Sequence, residues 1–219
     1  MYKCVIFDMD GTLLNTLDDL ADSGNYTLQK FGLPVHDVEK YRYFVGNGIP
    51  KLVERFMPEG TSEEKLKEAF DIMCSNYNKH MNDKTRPYDN VVEMLKILKS
   101  ENTMVFVVTN KADAFAKEIV KYYFGDLIYE VYGNVEGFPK KPDPYWVDKI
   151  ISAYNLDKSD VLFVGDSGVD MQTACNAKIA SAGVLWGFRD KDELIKNGAD
   201  YICGNCSDIL NLVLKNWLM

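Results

Sequence analysis

The sequence predicts an α/β fold, a doubly wound parallel sheet with a helical domain inserted near its start. Three observations carry this. Short apolar runs recur at wide spacing, at residues 4–7, 104–108, 127–133, 161–164 and 181–187, with a weaker run at 201–203. Runs of this kind, lacking polar alternation, suit strands buried on both faces. Amphipathic segments with helical spacing lie between them, at 90–100, 111–124, 144–155 and 207–218, and strand–helix alternation builds a parallel sheet wrapped by helices. Finally, residues 16–82 hold no comparable apolar run and read as helical throughout.

Taken in order, the first strand is Val5-Ile6-Phe7, followed at once by Asp8, Asp10, Gly11 and Thr12. The helical insertion begins at residue 16. Inside it, Gly46-Asn47-Gly48 reads as a turn before a helix starting near Pro50, since proline favours the first helical turn. Thr61 or Ser62 before Glu63 and Glu64 is a helix-start signal. The chain returns through 83–90, where Pro87 and polar residues suit a linker. The expected division is a core of residues 1–15 and 83–219 and an inserted helical cap of 16–82. A bundle inserted at the carboxyl end of a strand lies over the crevice where α/β proteins bind ligands. Bending is expected near Leu14–Leu17 and Asn82–Pro87.

The chain has 219 residues, 47% of them hydrophobic and 26% charged, ordinary values for a globular protein with a core. A net charge of −8 argues against nucleic acid as the main partner. No apolar stretch approaches the ~18 residues of a membrane span, and Asp8 and Asp10 interrupt the N-terminal run, so no membrane partner and no signal peptide is expected. Five cysteines, an odd number, suit free thiols in a reducing, cytoplasmic setting. Cys203 and Cys206 form a lone C-x-x-C with no second pair to complete a zinc site, and no role is assigned to it. A monomer or homodimer is expected.

In a parallel sheet all carboxyl ends lie on one edge, so the residues after each strand form one site. That edge collects Asp8 and Asp10, then Thr109-Asn110, then Asp166 with Asp170 four residues on, and Lys141 just before a helix. Two carboxylates ~4 Å apart repel by ~4 kcal/mol at an effective dielectric of 20. Either some of the acids hold protons or a cation sits among them. Hard oxygen ligands without histidine favour Mg2+, which keeps coordination positions for a phosphate. Lys141 and the Thr109 hydroxyl suit the remaining phosphate oxygens, and helix starts after Asn110 and Ser167 add N–H groups. Asp8, at the strand terminus, is the expected nucleophile. Asp10 is the expected acid and base, first for the leaving alkoxide and then for water.

These residues also carry a resemblance. "DMDGT" (8–12), "TN" (109–110), Lys141 in "KPDP" and "GDSGVD" (165–170) resemble, in order, the four motifs of the haloacid dehalogenase superfamily. The resemblance implies a Rossmann-like core, Mg2+ and a phosphoaspartate at Asp8. It implies metal ligation by the Asp8 and Asp166 side chains and the Asp10 carbonyl. Phosphate falls to Thr109, Asn110, Lys141 and Gly11, and Asp170 orients metal-bound water or Lys141. The insertion looks like the C1 cap of that superfamily, and residues 10–34 and 45–56 are similar to its phosphoglycolate phosphatase subgroup. Asn15 departs from the aspartate of many relatives. In the cap, Gly46, Asn47, Gly48 and Lys51 are candidate substrate contacts.

The expected activity is hydrolysis of small phosphorylated metabolites, phosphoglycolate first among them. The closest alternatives are a phosphomutase similar to β-phosphoglucomutase and a broad-specificity phosphatase of sugar phosphates, nucleotides or pyrophosphate, since the core motifs are shared. A dehalogenase would not need Asp10. "GDSG" (165–168) also resembles the nucleophile segment of trypsin-like proteases, but the two histidines, His36 and His80, both lie in the insertion, and the all-β pattern is absent.

Overall fold

The fold was analysed in a computed structural model, which describes residues 2–214. The chain begins with β1 (Cys4–Phe7) and a two-residue β2 (Leu14–Asn15). Four helices follow: α1 (Leu17–Lys30), α2 (Val38–Phe44), α3 (Ile49–Phe56) and α4 (Glu63–His80). The chain then returns through β3 (Arg86–Pro87) into α5 (Val91–Ser100), β4 (Met104–Ala112), α6 (Asp113–Phe124) and β5 (Glu130–Asn134). It closes with α7 (Tyr145–Ala153), β6 (Val161–Gly165), α8 (Gly168–Ala177), β7 (Ala180–Val184), α9 (Lys191–Lys196), β8 (Tyr201–Cys203) and α10 (Cys206–Leu214).

Six strands form one parallel sheet in the order β5-β4-β1-β6-β7-β8. Strand β1 sits at the centre because the chain builds outward through β4 and β5, then crosses back to β6. That reversal of direction is where α/β sheets form a ligand crevice. The two-residue side-chain period splits each central strand between two cores. Val5, Phe7, Val105, Val107, Leu162 and Val164 face one side, with α5, α6 and α10. Cys4, Ile6, Phe106, Val108, Val161 and Phe163 face the other, with α7 and α8. Hence the absence of polar alternation in the sequence.

The strands and helices lie close to their expected places, with instructive shifts. Strand β4 runs on through Ala112, with a register irregularity against β5 after Val108, so α6 starts at Asp113 rather than 111. Leu127, expected to open a strand, instead ends a 3-10 turn over Gly125–Leu127, and β5 begins at Glu130. Strand β7 ends at Val184, before Trp186. Ser62, not Thr61, caps α4, its hydroxyl accepting from Lys65 N–H. The expected C-terminal helix is described to Leu214; residues 215–218 of that expectation lie outside the described residues.

The four helices α1–α4 fall within residues 16–82, the interval expected to be helical, and are joined by short non-helical connections. Where the chain enters and leaves this segment, β2 and β3 pair antiparallel, Leu14 opposite Pro87 and Asn15 opposite Arg86. The buried Asp19 carboxylate at the start of α1 accepts from Lys84 N–H at 2.9 Å and Thr85 N–H at 2.8 Å. The two crossings are thereby tied together. Among the described residues no helix is long and apolar enough to cross a membrane. All five cysteines are free thiols. Cys203 and Cys206 are buried, and burial pushes their thiols up to about 12 and about 11, out of the range of reactive thiolates.

Candidate active site

The carboxyl ends of β1, β4 and β6 bring the expected residues together. Asp8 follows β1 directly, and its N–H continues the ladder to Val164 O at 2.9 Å. One carboxylate oxygen from each of Asp8, Asp166 and Asp170 lies within 4.8 Å of the others, and all three residues are buried. Lys141 enters this cluster from the segment before α7. Its Nζ lies 2.8 Å from Asp8 Oδ1 and 2.7 Å from Asp170 Oδ1. Asp170 is locked in turn by its helix: with Ser167 it forms a capping box, accepting from Ser167 N–H and O–H through Oδ2. Both of its oxygens are therefore engaged, one of them by Lys141. Asp166 accepts from the Thr12 hydroxyl at 3.1 Å and from Phe188 N–H at 2.8 Å.

Gly11 lies where no side chain fits. A Cβ there would stand 2.3 Å from Asp166 Oδ2, and its φ of +88° is one that L side chains rarely adopt. Its N–H donates to Leu14 O, so its contribution is space for Asp166 within the β1 loop. Asn110 is a buried strut: its amide donates to Gly46 O at 3.1 Å and Lys141 O at 3.2 Å.

Burial and mutual repulsion push the carboxylates upward. Asp8 is raised to about 7, chiefly by burial; Lys141 opposes the rise and Asp170 adds to it. Asp166 is raised to about 8 by burial and then by Asp170 and Asp8. Burial works against the Lys141 charge, yet Asp170 and Asp8 outweigh it and hold its pKa above the ordinary value.

A cavity lies above the cluster. Asp8, Asp10, Thr109, Asn110 and Lys111 form its floor, with Leu20, Val45, Gly46, Gly48, Ile49 and Leu52 closing it from the insertion. Its volume is about 30 Å³, room for about two waters. The closing loop is held to the core through backbone carbonyls. Arg189 Nη2 donates to Val45 O at 2.9 Å, its Nη1 to Arg42 O, and Arg42 Nη1 to Gly187 O at 3.1 Å.

Two expected cap contacts fall elsewhere. Lys51 is exposed and pairs with Glu54 at 2.6 Å, outside the cavity. The Asn47 side chain accepts from Arg55 and shapes the loop, leaving Gly46 and Gly48 as the cavity-lining pair. Two residues went unrecognised in the sequence. Lys111 is buried with its Nζ 3.1 Å from Asp10 Oδ1 and 3.3 Å from Oδ2. Its signal was present: two residues past Thr109 in a strand, it points the same way. Arg189 had none, since its partners are carbonyls 144 and 147 positions away.

The donor set fits a divalent cation. Asp8, Asp10, Asp166 and Asp170 face two ammonium groups, Lys111 and Lys141. When ionised they carry an excess of two negative charges in a buried site, which one Mg2+ would offset.

Comparison with known proteins gives the family. Residues 5–184 match the haloacid dehalogenase-like hydrolase family. The chain is 33% identical to a phosphoglycolate phosphatase of Psychrobacter arcticus, covering 97% of this chain and 96% of that protein. It is 29% identical to one from Vibrio parahaemolyticus, covering 96% of each. It superposes on the crystal structure of a predicted phosphoglycolate phosphatase from Haemophilus somnus with a TM-score of 0.89 at 29% identity, covering 96% of this chain and 97% of that one.

Proposed function

Because the chain belongs to the haloacid dehalogenase-like hydrolase family and is a phosphoric monoester hydrolase, we propose that it hydrolyses small phosphate monoesters, phosphoglycolate first, with Mg2+ and through an aspartyl phosphate on Asp8. The observation that carries this is the junction of Asp8, Asp166, Asp170 and Lys141 at the sheet's reversal point. The Asp8 and Asp166 side chains, with the Asp10 carbonyl, would hold the ion. When bound it screens the carboxylates from the phosphate dianion.

A carboxylate oxygen of Asp8 attacks phosphorus, and the bond to the ester oxygen breaks. Asp10 gives that oxygen a proton, releasing the alcohol. Asp10 then takes a proton from a water that attacks the aspartyl phosphate, freeing phosphate and restoring Asp8. Lys141 and the Thr109 hydroxyl bind the phosphoryl oxygens, and Asp170 aims Lys141. Asn110 joins the Lys141 backbone to the cap loop at Gly46.

A phosphate ester does not fit the cavity as it stands, so residues 16–82 act as a cap that swings about the β2–β3 pair. The lining supports a short leaving group over a hexose. Leu20, Val45, Ile49 and Leu52 offer no side-chain hydrogen bonds to sugar hydroxyls.

The test is phosphate release from a panel of phosphorylated metabolites with and without Mg2+, β-glucose 1-phosphate included. Metal-dependent release with phosphoglycolate among the best substrates is expected. Isomerisation of β-glucose 1-phosphate, or equal turnover after exhaustive chelation, would overturn the reading.

A further inference from the structure

The proposed mechanism leaves one buried cation unused. Lys111 has a side chain only 3% exposed, on the end of β4. One face of its ammonium meets both carboxylate oxygens of Asp10. Another meets the ring of Tyr77, 4.6 Å from Nζ to the centroid. Tyr77 is itself fully buried and reaches down from α4 of the insertion. Among the described residues lining the cavity, Lys111 is the one cation; the insertion's contribution is aliphatic side chains and two glycines.

This arrangement conflicts with the role of Asp10. Both its oxygens face one ammonium, so it must turn from Lys111 to reach a leaving-group oxygen. Lys111 cannot be left without an anion, because an unpaired charge in a buried site is strongly unfavourable. It therefore needs a replacement partner at the moment Asp10 turns.

Building on the phosphatase reading, we propose that Lys111 is the specificity-determining residue for the leaving group. It binds a carboxylate carried by the alcohol part of the ester, and this exchange of partners releases Asp10 toward the ester oxygen. The substrate class is then the short phosphorylated hydroxy acids. Esters with neutral leaving groups bind with Lys111 still held by Asp10, so they lose in kcat as well as in KM. Tyr77 keeps the ammonium at the cavity wall during the exchange, which makes recognition depend on a closed cap.

The experiment compares 2-phosphoglycolate with 2-hydroxyethyl phosphate, its neutral analogue of similar length, in the wild-type protein, Lys111→Met and Lys111→Arg, with Mg2+ present. The wild type is expected to prefer phosphoglycolate on the order of 10–100-fold in kcat/KM, part of it in kcat. In Lys111→Met the ratio falls to about one, and Lys111→Arg restores part of it. Binding is read separately by calorimetry with 3-phosphonopropionate, which carries the carboxylate but has no ester bond, against propylphosphonate. The wild type should favour the former at least tenfold, and Lys111→Met should favour neither. Equal wild-type turnover of the two esters overturns the proposal while leaving the phosphatase intact. So does an unchanged preference in Lys111→Met, or loss of both esters in equal proportion with an unchanged binding ratio. No turnover of either ester by the wild type would instead overturn the phosphatase reading itself.

Discussion

Replacing Lys141 with methionine keeps most of the side-chain volume and removes the charge that binds the acidic cluster together. Lys141 Nζ stands 2.8 Å from Asp8 and 2.7 Å from Asp170, with its side chain 3% exposed. At an effective dielectric of 20, each contact is an attraction of about 6 kcal/mol before desolvation. Removing one partner of a buried ion pair leaves a net loss of about 3–5 kcal/mol. For a chain of this length that lowers Tm by roughly 6–20 °C. The loss should be largest without metal, when Asp8, Asp166 and Asp170 repel with no cation among them. Mg2+ should therefore raise the Tm of the variant more than that of the wild type. Turnover of phosphoglycolate should fall by about 10²–10³-fold, the scale of one lost charge-stabilising donor. The assays are thermal unfolding with chelator and with Mg2+, and phosphate release. A metal-free Tm within 2 °C of wild type, together with unchanged kinetics, would refute the view that Lys141 neutralises the cluster.

Asp8→Asn should abolish turnover and phosphoenzyme trapping while keeping the fold, and its metal-free Tm should rise, because burial disfavours the ionised Asp8 despite Lys141, which keeps Asp170 as its partner; measurable turnover would assign the nucleophile elsewhere. Asp10→Asn should block turnover with the fold intact, read by phosphate release and circular dichroism. The metal-free protein should lose stability as pH rises from about 4 toward 8. Asp8 and Asp166 titrate near 7 and 8 when folded, above the ordinary value of 3.8, so over that window the folded state holds protons the unfolded state has released. The slope is at most ~1.4 kcal/mol per pH unit for each proton, and Mg2+ should flatten it; differential scanning calorimetry at several pH values measures both. Gly11→Ala should destabilise by about 1–3 kcal/mol, through an unfavourable φ and the contact with Asp166, as read by urea unfolding.

The sheet was legible because each central strand is buried on both faces, which writes itself as an uninterrupted apolar run such as Val5-Ile6-Phe7 or Val161-Leu162-Phe163. The insertion was legible from the long helical interval between the apolar runs of β1 and β4. The short β2–β3 pair was not, since two residues carry no periodicity and pair with residues 71 and 73 positions away. The apolar run of β4 stops at Val108, so its end was not legible: Thr109, Asn110, Lys111 and Ala112 continue the strand into the site.

By itself the sequence determined which groups stand at the strand ends: Asp8, Asp10, Thr109, Lys141 and Asp166 each follow or precede a recognisable element. Only the tertiary structure decided how they pair, with Lys141 between Asp8 and Asp170 and Lys111 on Asp10. It also decided that Arg189 would close the cavity by grasping carbonyls of a distant loop. The reason is physical. Strand and helix formation follows the local side-chain pattern, whereas a charge finds its partner by burial, and burial depends on segments that meet only when the chain is folded.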